Sequence, residues 1–204
     1  MPIPIDLFGG ALRCSLPEGW LDASDARPVP DHQEVWLEPA GGGDRSVVVE
    51  LLERVEECGD DESGEFHFRE LARTNEATRA TLHSSARLPP EAVHSHALRE
   101  QAVGYLLHGV QVLQPRHEGG GSAPLAVVVE LQLRLVVLRL AAQATDLLVS
   151  VSRPTTIIDG NGSAAQATGS PSDLEAQADA DLLAAIINTI EVCDWGLFQG
   201  DAAG

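Results

Sequence analysis

The sequence predicts an α+β fold in which an antiparallel β-sheet is flanked by helices. Two runs of alternating apolar and polar residues, 125–137 and 145–152, have the period of half-buried strands, and the few residues between them suit a hairpin. An amphipathic segment at 172–190 has the spacing of a helix that packs on such a sheet. The 204 residues suit one domain, and we expect it to span 1–204 with a mobile insertion at 153–171.

Four further segments have the composition or the alternation of strands. In chain order they are 11–16, 34–38, 46–55 and 102–113. Within the third of them, Glu50 alternates with apolar neighbours, so we expect Val47 and Val49 to face inward and Glu50 to lie on the other face. In the run at 125–137 every odd-numbered position is apolar, which predicts a long strand with one buried face.

Two segments have the signals of helices. Ser172 and Glu175 have the spacing of a capping box, and the apolar residues after Ser172 recur at helical spacing. Those apolar residues are Leu174, Ala178, Leu182, Leu183, Ile186, Ile187 and Ile190. A second helix is expected at 61–75, because acidic residues at its start favour the helix dipole. Three segments rich in small residues are expected to be loops, at 40–44, 117–123 and 153–171.

The chain is strongly acidic, with 31 acidic residues, 13 arginines, no lysine and a net charge of -18. This balance argues against a nucleic-acid binder and against an anionic membrane surface, and it favours a basic patch on a partner protein. Self-repulsion favours a monomer. Residues 1–70 hold 17 of the acids and only 5 arginines, which indicates either a solubility device or an acidic docking face.

The compartment is expected to be the nucleus and cytoplasm. The three cysteines are far apart in sequence, and their odd number suits a reducing environment. Residues 1–6 have no basic start and no long apolar stretch, so we expect no secretory signal. The apolar run at 125–142 is interrupted by charged residues and is not expected to span a membrane.

Residue types suited to catalysis or metal binding are present, but they form no recognisable motif. Cys14 and His67 are a conceivable nucleophile and base, yet Cys14 lies in an alternating strand and is better explained as a core residue. His94 and His96 are a conceivable metal pair, but no further ligand is apparent, and a surface loop is the better interpretation. We therefore expect no enzymatic activity, no cofactor and no metal.

A polar segment at 22–34 is the best candidate for a binding site. Pro28 and Pro30 restrict its backbone, so it would lose less entropy on binding. For Asp22 and Ser24 at its start, turn capping is the better explanation. Glu34 and Glu50 are harder to explain locally, because each lies beside or within a strand among apolar residues, with no evident basic partner in sequence.

These residues resemble a known family. The segments 7–11, 16–17 and 22–35 look like the signature of the Ran guanine nucleotide release factors, the Mog-type nuclear import proteins. Later segments are similar to further elements of that family, namely 47–53, 66–71, 145–148 and 194–198. The matching segments run in order over nearly the whole chain. His32 departs from the pattern, which has Asn or a small polar residue there.

The resemblance implies a Mog/PsbP-like fold, a twisted antiparallel sheet of about six strands flanked by helices. It also implies binding to the small GTPase Ran, promotion of guanine nucleotide release from Ran without catalysis, and a role in nuclear protein import. The partner-binding residues that it implies are Asp25, Asp31, Gln33, Glu34, Glu50 and Glu53. The alternative function is a PsbP-like accessory or scaffold protein that binds a different partner.

Overall fold

The structure is a computed structural model that describes residues 1–39, 44–113, 128–158, 164–167 and 172–198. Within these ranges the chain forms eleven strands and three α-helices. The strands are β1 (Pro2–Leu7), β2 (Leu12–Pro17), β3 (Leu21–Asp22), β4 (Gln33–Leu37), β5 (Ser46–Glu53), β6 (Arg79–Arg87), β7 (Ala102–Leu113), β8 (Val128–Leu140), β9 (Thr145–Ile158), β10 (Ala164–Ala167) and β11 (Glu191–Val192). The helices are α1 (Ser63–Thr74), α2 (His96–Gln101) and α3 (Asp173–Thr189).

Two antiparallel sheets organise the chain. The large sheet has the strand order β3-β4-β5-β9-β8-β7-β6, and β10 also pairs with β9. The small sheet has the order β1-β2-β11. The predicted α+β class and the antiparallel pairing are confirmed. The predicted hairpin is also confirmed, because β8 and β9 pair from Leu140 opposite Thr145 along nearly their whole lengths.

The large sheet is covered differently on its two faces. On the first, the α3 face, α3 and the small sheet enclose the larger cluster of buried apolar side chains, which includes Val47 and Val49 of β5. On the second, the α1 face, α1 packs over the β6, β7 and β8 side of the sheet, and Phe68 contributes to a smaller buried cluster. The register predicted for β5 is confirmed, since Glu50 lies on the α1 face, opposite to its valine neighbours.

The loop prediction for 153–171 is wrong over part of its length. β9 continues to Ile158, because β8 offers backbone partners as far as Val128, and β10 adds to the other edge of β9. Part of the segment whose small residues indicated a loop therefore forms strands, in β9 and β10. Residues 159–163 and 168–171 lie outside the described residues, as do 117–123 and 40–43, and mobility there stays a prediction.

Two predictions about helices need correction. The capping box of α3 is confirmed, but Leu174 is 83% exposed. At 100° per residue it lies about 180° around the helix axis from the buried Leu183, so it falls outside the apolar stripe. The surface loop expected at His94 and His96 is only partly found, because His96 begins the short helix α2; both side chains are exposed. The helix predicted at 61–75 is confirmed as α1.

Gly109 of β7 allows α1 to approach the sheet closely. A Cβ atom at this position would lie 2.6 Å from Cζ of Phe68 and 2.6 Å from the carbonyl oxygen of Thr81. We therefore expect Gly109→Ala to lower the free energy of unfolding by about 1–3 kcal/mol through overpacking, measured by urea denaturation. Gly59→Ala is the matched control, because its Cβ would meet no atom closer than 4.0 Å. Equal unfolding midpoints for the two variants would contradict the prediction.

Candidate protein-binding site

Two of the predicted binding residues meet across adjacent strands. Gln33 of β4 lies directly opposite Glu50 of β5, and Nε2 of Gln33 donates a hydrogen bond of 2.7 Å to Oε1 of Glu50. His32 approaches the same oxygen, with its Nε2 3.5 Å away. Glu50 is only 7% exposed. The antiparallel register therefore buries a carboxylate between an amide and an imidazole.

Glu50 is unusual among the buried acids because no arginine in the described part of the chain forms an ion pair with it. Within the described ranges, the ion pair of Glu50 is with His32 alone, whereas Asp146 and Asp179 each contact a buried arginine. A buried carboxylate without a cation carries an uncompensated desolvation cost. Glu50 therefore offers a binding position for a positive group from another molecule.

Glu50 lines a groove of about 560 Å³ on the α1 face, which we call the α1 groove. The groove exists because α1 covers the β6, β7 and β8 side of this face but leaves the β5 and β9 side open. The apolar part of its floor is formed by Val48, Leu52, Leu131, Leu133, Leu135 and Leu148. One wall is α1, and Gln33, Glu50 and Glu53 lie along β4 and β5 on the opposite side.

Of the predicted binding residues Asp25, Asp31 and Glu53, the groove lining includes Glu53 alone. Asp31 is exposed just before β4, and Asp25 is exposed at the end of a 3₁₀ turn. Glu53 is exposed at the end of β5. The structure thus brings Gln33, Glu50 and Glu53 to one groove, with Asp31 adjoining in sequence.

Glu34 lies apart from this group. It follows Gln33 in β4, so its side chain is directed to the other face of the sheet. There Oε1 of Glu34 accepts a hydrogen bond of 2.6 Å from the backbone N–H of Phe8, which has a positive φ of 49°. Glu34 therefore holds the turn between β1 and β2 in a conformation that is costly for a non-glycine residue. Similarly, Asp22 caps its turn through the N–H of Ser24, as the turn explanation predicted.

A buried polar cluster beside the groove was missed from sequence. Nε2 of His67 lies 2.8 Å from Oδ2 of Asp146, and Nε of Arg139 donates to Oδ1 of Asp146 over 3.1 Å. All three side chains are at most 2% exposed. Arg139 also donates to the carbonyl oxygens of Val55 and Gly59. The cluster therefore anchors the acidic loop that follows β5 to the sheet.

The sequence offered only a weak signal for this cluster. Arg139 and Asp146 interrupt two strands at positions that pair directly across the β8–β9 hairpin. Charged residues facing each other in this way favour an ion pair. Their burial depends on α1 and on the loop after β5, which no local pattern specifies.

The pKa of Asp146 follows from its surroundings. Burial alone would raise it, but the hydrogen bonds from His67 and the N–H of Val55, together with the charge of Arg139, hold the pKa below its usual value. A carboxyl group with a lowered native pKa adds stability above its ordinary pKa, and this contribution is lost as the pH falls through the native value.

At neutral pH we expect the wild-type protein to have a larger free energy of unfolding than Asp146→Asn. We expect this difference to narrow as the pH falls below about 4. The reason is that the protonated acid loses the same charge that the amide lacks. Urea denaturation at a series of pH values measures this difference. A gap that is constant or that widens on acidification would contradict the prediction.

The catalytic alternative gains no support from the placement of Cys14. Its side chain is 1% exposed in the larger apolar cluster, as predicted for a core residue, and burial raises the pKa of its thiol to about 12. His67 is engaged with Asp146 on the α1 face. In the described ranges, no group of three or more His, Cys, Asp or Glu side chains is placed to hold a metal ion, and no helix has the length and apolarity needed to cross a membrane.

The three thiols are expected to differ in reactivity. Iodoacetamide at neutral pH should modify the exposed Cys193 first and Cys14 last, because alkylation needs an accessible thiolate. Peptide mass spectrometry over a time course measures the order. In urea, all three cysteines should react at similar rates. Equal rates for Cys14 and Cys193 in the folded protein would contradict the core assignment.

Comparison with known proteins places this chain in one family. The family model described as "Ran-interacting Mog1 protein" matches residues 5–154. The Ran guanine nucleotide release factor of Bos taurus is 32% identical over 148 residues, which cover 72% of this chain and 74% of the relative. The nuclear import protein mog1 of Schizosaccharomyces pombe is 32% identical over 152 residues, covering 74% and 76%.

A solved structure agrees with these sequence matches. The crystal structure of the Saccharomyces cerevisiae Ran-binding protein Mog1p has a TM-score of 0.65 and 25% identity to this chain, and the match covers 97% of this chain and 98% of that one. The likeness therefore extends over both sheets and the three helices. With the family model and with relatives above 30% identity, it shows that the chain belongs to the Ran-interacting Mog1 protein family.

Proposed function

We propose that this protein binds the small GTPase Ran, promotes release of guanine nucleotide from it and supports nuclear protein import. The observation that carries the proposal is the family match over residues 5–154, which includes all six predicted binding residues. Relatives matched over about three quarters of the chain are named Ran guanine nucleotide release factor and nuclear import protein. We further propose that the protein acts in the nucleus and the cytoplasm, where such a role would place it.

The chemistry of the site is suited to a non-catalytic release factor. A GTPase holds its nucleotide through Mg²⁺, a lysine and backbone amides. A binding protein accelerates release only if it binds the loosened state more tightly than the nucleotide-bound state. Glu50, which lacks an arginine partner among the described residues, and the exposed Glu53 supply carboxylates that can attract the cationic groups holding phosphate. No covalent bond is made or broken in this mechanism.

The charge of the chain supports a protein partner. A net charge of -18 repels nucleic acid and anionic lipid and attracts a basic protein surface. The same charge disfavours association between copies, so we propose that the protein is monomeric when alone.

The function is tested by following release of a fluorescent guanine nucleotide from purified Ran, with and without this protein, at two salt concentrations. We expect faster release that declines at the higher salt concentration, because exposed charges are screened. Complex formation on a sizing column is the accompanying measurement. No acceleration and no complex would overturn the proposal, and pull-down from nuclear and cytosolic extracts would then identify the different partner that a PsbP-like scaffold requires.

A further inference from the structure

We propose that the α1 groove binds a segment of the GTPase partner in which a bulky apolar side chain lies next to an arginine or lysine. The apolar side chain enters the groove, and the cation pairs with Glu50. This inference rests on the proposed function, because it specifies which surface chemistry of the partner the site recognises. It adds an apolar anchor to what is otherwise a purely acidic docking face.

The lining of the groove supports an apolar anchor. Seven apolar side chains that line it are only half-buried, and they are Val48, Leu52, Val55, Phe66, Leu71, Leu113 and Leu131. Three leucines that are at most 4% exposed lie among them, namely Leu133, Leu135 and Leu148. A contiguous apolar surface with a polar rim is typical of an interaction site. Its volume of about 560 Å³ is within the range of pockets that bury most of the surface of a small ligand.

The charge of the groove supports a cation beside that anchor. Three glutamates line it, Glu50, Glu53 and Glu70, and none of its described lining residues is an arginine, although Arg73 on α1 donates to Glu70 over 3.1 Å. His67 also lines it, but Nε2 of His67 is already engaged with Asp146. Carboxylates above a low-dielectric floor produce a focused negative potential. Because Glu50 is 7% exposed, a cation that reached it would be largely desolvated and would form a strong, specific pair.

The shape and the charge of the groove together favour a segment of a partner protein over a second copy of this chain. The groove runs across the sheet from Gln33 of β4 to Asn75 just beyond α1. Part of its floor, on β5 and β9, is formed by Ser46, Ser150 and Ser152, whose small side chains leave room above the sheet. A second copy would bring another net charge of -18 against three glutamates, and the repulsion opposes that pairing.

The test fills the groove without changing its charge. Ser150 of β9 is half-buried in the groove, so Ser150→Trp would occupy the space of the apolar anchor. Ser84→Trp is the matched control, because Ser84 is exposed on β6, outside the groove. Calorimetric titration with purified Ran at several temperatures measures affinity and the heat-capacity change of binding, and circular dichroism checks that each variant is folded.

We expect Ser150→Trp to weaken Ran binding at least tenfold and to make the heat-capacity change less negative, because less apolar surface is buried. Ser84→Trp should bind within twofold of the wild-type protein. Glu50→Gln should weaken binding and reduce its salt dependence while leaving the heat-capacity change nearly unaltered. These separate signatures distinguish the apolar anchor from the cation pair. If Ser150→Trp does not fold, Leu52→Ser provides the same test by removing apolar surface.

Three results would overturn the inference. If folded Ser150→Trp binds Ran like the control while Glu50→Gln binds Ran weakly, docking depends on the acidic residues alone. The proposed function then stands without the apolar anchor. If Ser150→Trp and Glu50→Gln both bind Ran like the wild-type protein, the groove is not the docking site, although Ran is still the partner. If the wild-type protein does not bind Ran, the proposed function and the inference fail together.

Discussion

Replacing Glu50 by lysine is expected to weaken binding to Ran at least thirtyfold, or about 2 kcal/mol. The expected loss is large because Glu50 is a buried carboxylate whose ion pair among the described residues is with His32 alone. A lysine there would present a positive charge to the cation that the site attracts. Titration of labelled Ran with each protein measures the change.

The controls for this prediction separate local charge from net charge and from folding. Glu91→Lys makes the same change in net charge at an exposed position in the 3₁₀ turn before α2, away from the α1 groove. It should alter affinity much less. Glu50→Gln removes the charge and can retain the hydrogen bond to Gln33 without burying a new charge. Equal affinities for the two lysine variants, both folded, would remove Glu50 from the site.

Replacing Asp146 by alanine is expected to lower the free energy of unfolding by about 3–5 kcal/mol. Asp146 is fully buried and accepts from Arg139 and from the backbone N–H of Val55, while Nε2 of His67 lies 2.8 Å away. Its removal would leave the Arg139 guanidinium without its buried counter-charge, and the partly exposed Asp60, 3.2 Å from Nη1 of Arg139, would compensate only in part. The native state of a domain is worth only about 5–15 kcal/mol, so this variant is expected to be marginally stable.

Urea denaturation followed by circular dichroism measures this loss. Asp6→Ala is the control, because Asp6 forms an ion pair with Arg13 in which both side chains are largely exposed, and its unfolding midpoint should be nearly unchanged. The loop after β5 should also become more susceptible to proteolysis in Asp146→Ala, since Arg139 holds it through the carbonyl oxygens of Val55 and Gly59. A variant as stable as the control would show that the cluster is not needed for folding.

The strands that could be predicted are those whose own pattern is strong. β7 was predicted with its observed bounds, and β5, β8 and β9 were located because β-branched and leucine residues dominate them. β6 was not predicted, because eight of its nine residues are exposed and the segment lacks an apolar alternation. It forms an edge strand because β7 offers it backbone partners, and that pairing is a property of the sheet.

The residues of the candidate site could be predicted from the sequence, but their arrangement in space could not. The sequence indicated that Glu34 and Glu50 lacked a local explanation, and the two have different roles. Glu34 binds the N–H of Phe8 on one face of the sheet, while Glu50 lies in a groove on the other. The groove itself could not be predicted, because it is the part of the sheet that α1 leaves uncovered.

The sequence by itself determined the class of fold, the family and the local elements. Alternating runs specify strands, and the Ser172 to Glu175 box specifies a helix start, because these signals act between residues close together in the chain. Only the tertiary structure decided that Glu50 is buried without an arginine partner in the described ranges and that Arg139, Asp146 and His67 meet. Burial and ion pairing depend on which distant segments pack together. The free-energy cost of desolvating a charge, and the ion pairs that offset this cost, are therefore set by tertiary packing.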